Sequence, residues 1–169
     1  MPAEYLVISA SLRPASLSRI MGQFLAKELD GEHLDLREFP LPMCDGATAY
    51  ADPNVEILRA KIAAARVILV AVPIYNYDAN AAVKNLVELT GGAWEDKIVG
   101  FACAAGGPTS YMSIIGLANS LMLDFRCIIL PRFVYATGDD FDDGKITSAE
   151  IKKRLKQLAE SARRLRSEK

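Results

Sequence analysis

Residues 8–19 read ISASLRPASLSR. This dozen holds Ser9, Ser11, Ser16 and Ser18 together with Arg13 and Arg19, between the apolar run YLVI and a helical pattern. Hydroxyls, free backbone N–H groups, a helix N-terminus and a guanidinium are the set that holds a dianionic phosphate. The stretch has no GK[ST] and no glycine, so it is neither a Walker A loop nor a GxGxxG turn. A serine-rich turn in which Ser16 or Ser18 only caps the next helix satisfies the same pattern. Ser9 or Ser11 as a hydrolase nucleophile would need a base within reach. The one histidine, His33, falls at the start of the second strand pattern, away from the loops that such a site would use.

Two further stretches carry chemistry. In PIYNYDAN (73–80), two tyrosines and two asparagines follow a proline. Aromatic rings can flank a flat ligand, and amides can read its polar edge. In AAGGPTS (104–110), Gly106 and Gly107 let the backbone approach a ligand closely, and successive N–H groups there could stabilise negative charge on it. Each stretch also reads as an ordinary turn.

The elements that must position these loops follow from hydrophobic periodicity. EYLVIS (4–9), RVILVAVP (66–73) and KIVGFACAA (97–105) are continuous apolar runs, as in strands buried on both faces. HLDLREF (33–39) alternates like a half-exposed strand, and RCIILPRFVYA (126–136) reads as a last strand interrupted by Pro131. Helical patterns cover 16–29, 55–65, a segment after Asn80 that ends at Gly91-Gly92, a segment after the 104–110 loop, and about 147–166. Asn80 is placed to cap the third helix, and Thr147 with Glu150 to form a capping box on the last. Five strands alternating with five helices predict a doubly wound α/β domain over residues 1–169. Its five-stranded parallel sheet has order 2-1-3-4-5 and helices on both faces. Ligands of such sheets bind at the carboxyl ends of the strands, where the order reverses. Residues 9–18 and 73–80 meet there, bordered by 104–110.

Composition narrows the function. The 169 residues carry a net charge of −1, which gives no electrostatic push toward nucleic acid or a membrane surface. No apolar run approaches the roughly 18 residues of a membrane span. Cys44, Cys103 and Cys127 have no CxxC spacing, which points to a reducing compartment and to core roles for Cys103 and Cys127. Residues 139–150 nearly match a calcium loop, but Phe141 stands at a ligand position, so no metal site is expected. The basic face after residue 150 reads as the solvated side of a helix that packs through Ile151, Leu155, Leu158, Ala162 and Leu165.

A phosphate subsite and a planar-ring subsite at one sheet edge suit a flavin mononucleotide. The chain resembles the NAD(P)H-dependent FMN reductases, flavodoxin-like enzymes that include quinone, azo-dye and chromate reductases. SASLRPASLS is similar to their phosphate loop SGSxRxxSxN, and PIYNYD to their ring loop PEYNGS through Pro73, Tyr75 and Asn76. Lys84-Asn85 falls at the spacing of the family's Lys-Asn pair. The fourth loop, its helix and ILPRF are also alike, so the likeness spans nearly the whole chain. Ala10 stands in place of the family's glycine, Ser18 of its asparagine and Ile74 of an acid. Tyr77-Asp78 stand in place of Gly-Ser, and the Pro-Gly that opens the next helix is absent.

The resemblance implies FMN as cofactor and NADPH or NADH as co-substrate. Hydride would pass through flavin N5 to a quinone, azo compound or other small acceptor in a ping-pong cycle. It implies an FMN site made of Ser9, Ser11, Arg13, Ser16, Ser18, Pro73, Ile74, Tyr75, Asn76, Gly106 and Gly107, with no catalytic acid or base. It also implies a cytoplasmic homodimer or homotetramer. A flavodoxin-type electron carrier, or a flavin-binding regulatory module, is the alternative.

Overall fold

The computed structural model describes residues 4–165. The chain runs β1 (Tyr5–Ser9), α1 (Leu17–Leu29), β2 (Glu32–Asp35), α2 (Pro53–Ala64), β3 (Val67–Tyr75) and α3 (Ala81–Thr90). It continues through β4 (Ile98–Ala105), α4 (Ile115–Phe125), β5 (Ile128–Ile129), β6 (Val134–Thr137) and α5 (Ala149–Arg164). The sheet runs β2-β1-β3-β4, with β5 and β6 lying one after the other along the outer edge of β4. All these pairings are parallel. The expected order 2-1-3-4-5 therefore holds, with the fifth position filled by two short pieces. Pro131, which has no N–H to give to a ladder, stands between them.

Side chains alternate between two cores. Leu6, Ile8, Ile68, Val70 and Val72 pack with Leu58 and Ile62 of α2, Val83 and Leu86 of α3, and Leu117 and Leu121 of α4. Val7, Val67 and Leu69 pack with Met21 and Leu25 of α1 and with Ile151, Leu155 and Leu158 of α5. The central strands are covered on both faces, which is why their sequences are continuous apolar runs. Cys103 and Cys127 belong to the first core, and burial pushes their thiols up to about 12 and about 11, leaving them unreactive.

Several local expectations are corrected. The second strand ends at Asp35 instead of reaching residue 39, because the Asp35 carboxylate accepts from Arg37 N and turns 36–38 into a 3-10 helix. The last helix is capped by Ser148, whose hydroxyl accepts from Ile151 N, and not by Thr147. Arg166, its expected end, lies outside the described residues, and Leu165 is exposed past the helix end. Asn80 occupies the cap position of α3, but its amide serves another bond. Residues 139–150 form part of a 3-10 turn, then a two-residue hairpin of Phe141–Asp142 against Lys145–Ile146. Among the described residues, no three His, Cys, Asp or Glu side chains gather to hold a metal.

Candidate functional site

The phosphate-loop candidate closes on itself before it meets any ligand. Ser16 is the N-cap of α1, and its Oγ accepts from Arg19 N at 3.1 Å and lies 3.0 Å from Ser18 Oγ. Ser11 Oγ accepts from Arg13 N at 3.2 Å. Three arginines flank the loop, and two are engaged elsewhere. Arg19 Nε lies 2.8 Å and Arg37 Nη2 2.6 Å from Oδ2 of the buried Asp35. Burial alone would raise the Asp35 carboxyl. The hydrogen bonds from Arg37 and the two guanidinium charges outweigh it and hold the group below the usual carboxylate range. Arg37 also donates to the Pro14 carbonyl, which ties β2 to the loop. The Arg13 guanidinium has no carboxylate partner among the described residues.

The loop after β3 is a tight hairpin. Ile74 pairs with Ala79 and Tyr75 with Asp78 in antiparallel register. Asn76 and Tyr77 form the turn with φ of 51° and 64°. Two successive positive φ values make the type I′ geometry that matches strand twist. The absence of glycine from PIYNYDAN thus does not keep its backbone out of the left-handed region. At its far end Asn80 is buried, and its Nδ2 donates to the Ala10 carbonyl at 2.7 Å, clamping this loop to the first one.

These segments meet in a cavity of about 640 Å³ at the carboxyl ends of β1, β3 and β4. Ser11, Arg13, Ser16 and Ser18 line one end, while Pro73, Ile74, Tyr75, Asn76 and Gly106 line the rest. Nine of the eleven residues expected from sequence thus share one space. The volume lies in the range of small-molecule sites. A Cβ added to Gly106 would meet nothing within 4 Å, so the glycine leaves open room on the cavity wall. A cradle with a guanidinium that has no carboxylate partner among the described residues, a helix N-terminus, apolar and aromatic walls and a bare backbone edge fits a phosphorylated planar cofactor.

Two expected residues are placed elsewhere. Ser9 is fully buried beneath α1, and its Oγ lies 2.8 Å from His33 Nε2. Gly107 lies outside the lining, and its carbonyl accepts from Tyr135 Oη. The Ser9–His33 contact also corrects the expectation that His33 lies out of reach of the serines. With Ser9 closed to solvent, the pair has no access for a hydrolase substrate. His33 titrates below its usual value, because burial and the Arg19 charge outweigh the charges of Asp35 and Glu38. Sequence reasoning missed Ala15, Leu17, Ala104, Ala105 and Gly138, which complete the wall. Ala104 and Ala105 end β4, and Gly138 follows β6, so the rule that ligands gather at carboxyl ends could have found them.

The chain is similar to several known proteins. The chain is 30% identical to a probable NADPH:quinone oxidoreductase 2 of Oryza sativa subsp. japonica, over 89% of this chain and 82% of that protein. It is 28% identical to an FMN reductase (NADPH) of Pseudomonas aeruginosa, over 95% and 91%. In fold it is similar to FerB, a flavoenzyme NAD(P)H:(acceptor) oxidoreductase from Paracoccus denitrificans. That match has a TM-score of 0.76 at 21% identity and covers 93% of each chain. The electron-carrier alternative is not favoured by these relatives. Residues 4–142 match the family model of NADPH-dependent FMN reductases, and the chain belongs to that family.

Proposed function

We propose that the cavity holds FMN and that the protein passes reducing equivalents from NADPH or NADH to a quinone, an azo compound or a similar small acceptor. The observation that carries this reading is one cavity joining Arg13 and the α1 N-terminus to the Pro73–Asn76 wall and the bare Gly106 edge. Ser11, Arg13, Ser16 and Ser18 hold the phosphate. Pro73, Ile74, Tyr75 and Asn76 flank the ring on one side, and Gly106 backs it on the other. Ser9 and Gly107 support these contacts from behind. When bound, FMN supplies the hydride chemistry, so the chain needs no acid or base of its own. Its residues bind and orient, and a single open ring face serves donor and acceptor in turn.

The test is FMN titration of the purified protein by fluorescence, followed by NADPH turnover with a quinone. Saturable FMN binding and parallel double-reciprocal lines are expected. Failure to bind FMN, or intersecting lines, defeats the reading.

The chain works as one FMN-binding domain and as a homodimer or homotetramer. Supporting this, α4 shows apolar side chains to solvent as well as to the core. Leu117 and Leu121 are buried, while Met122 and Leu123 on α4 are exposed, as is Met112 just before it. Exposed apolar side chains grouped in this way mark a surface that calls for cover. The setting is the cytoplasm, in keeping with three free cysteines. No helix among the described residues is long and apolar enough to cross a membrane.

A further inference from the structure

The loop that backs the ring end of the cavity is anchored from β6 by a side chain outside the lining. Tyr135 pairs in register with Cys103 of β4. Its hydroxyl donates to the Gly107 carbonyl and lies 2.6 Å from Ser110 Oγ. A phenol has one proton. With that proton directed at Gly107, the Ser110 hydroxyl donates to Tyr135. The Tyr135 ring is also held, edge-on against Tyr111, with centroids 5.6 Å apart and planes at 72°. Gly106 and Gly107 have no side chains to hold them, and a Cβ at either would meet nothing within 4 Å. The next residue, Pro108, has no N–H, so the Gly107 carbonyl is the only polar group of its peptide unit. Whatever holds that carbonyl fixes the peptide that follows Gly107, and so anchors one end of the two-glycine backbone.

We infer that Tyr135 is a positioning residue for the redox site. By holding the Gly107 carbonyl and the Ser110 side chain, it sets the 106–107 backbone against the ring end of the cavity. It thereby favours the reduced cofactor, which carries more negative charge there, over the oxidised one. The inference rests on the FMN reading and adds a residue that does not touch the cofactor.

Tyr135→Phe keeps the ring and removes the hydroxyl. Oxidised FMN should bind this variant within about threefold of the wild-type value, while reduced FMN binds about tenfold more weakly, the scale of one charge-assisted hydrogen bond. The midpoint potential then falls by about 15–30 mV, since a tenfold change in the ratio of the two affinities corresponds to about 30 mV in a two-electron couple and a threefold change to about half of that. A purely structural role would lower thermal stability and leave the potential alone. Ser110→Ala, which keeps the Tyr135–Gly107 bond, should move the potential the same way by less. The proposal is overturned if wild type binds FMN and Tyr135→Phe has the wild-type potential. If Tyr135→Phe does not fold, Ser110→Ala carries the test, and an unchanged potential there overturns it. Wild-type protein that binds no FMN overturns the parent reading, and this one with it.

Discussion

Arg13 differs from Arg19 and Arg37 in having no carboxylate partner among the described residues. Arg13→Ala should weaken FMN binding by about 1.5–3 kcal/mol, the worth of a hydrogen bond to a charged group, with the fold unchanged. Fluorescence titration beside thermal unfolding checks both halves. Arg37→Ala should instead lower stability, because it removes the main partner of the buried Asp35 and the tie to the Pro14 carbonyl. The Ser9–His33 pair predicts a pH dependence. The folded-state pKa of His33 lies below its ordinary value of 6.5, so the unfolded chain takes up that proton first as the pH falls. The contribution of His33 to stability is therefore complete above pH 6.5 and is lost as the pH drops through the lowered folded value. Thermal midpoints of wild type should fall over that window, and those of His33→Gln should fall less. At this scale Ser16 was legible from sequence, because a cap bonds to its own first turn. The Ser9–His33 contact was not. It depends on β1 and β2 pairing with Val7 opposite His33 and on how closely α1 lies over them, neither of which a local pattern encodes.

Gly22 determines how closely α1 can approach. A Cβ there would collide with Ser9 Oγ and stand 3.3 Å from Ala71 Cβ and 3.4 Å from His33 Nε2. Gly22→Ala should therefore cost about 1–3 kcal/mol through overpacking, despite alanine's better helix propensity. Equilibrium denaturation measures the difference. The β3 hairpin invites the opposite change. Tyr77 holds φ of 64° while half or more of its side chain is exposed, at the place where the resembling family pattern has glycine. A side chain in the left-handed region costs about 1–2 kcal/mol per residue, so Tyr77→Gly should raise the thermal midpoint, less the entropy that glycine adds to the unfolded chain. The strands were legible because burial on both faces leaves long apolar runs. The ends of elements were less so. The alternation in HLDLREF continues past Asp35, but the Asp35 carboxylate takes the Arg37 N–H and stops the strand.

Over the whole molecule, the exposed side of α4 carries the prediction about assembly. Leu123 is 77% exposed, and Met122 lies beside it at 43%. If the proposed oligomer forms through this side, Leu123→Glu should shift it toward monomer in sedimentation velocity while leaving thermal unfolding of the protomer within about 0.5 kcal/mol, as expected of a surface change. An unchanged oligomer would place the interface elsewhere. The site was legible in outline because doubly wound sheets bring the carboxyl ends of their strands together, so three weak loop signals added up. It was not legible which loop residues face the cavity and which hold the loop in place, as Gly107 and Tyr135 illustrate. The break at Pro131 has a consequence of a different kind. β5 and β6 form one rim of the sheet, and a rim is an open template on which other chains can stack into aggregates. A proline between a two-residue and a four-residue piece leaves that template without a continuous row of donors. The interruption thus guards a crowded solution of this protein against stacking on this one rim.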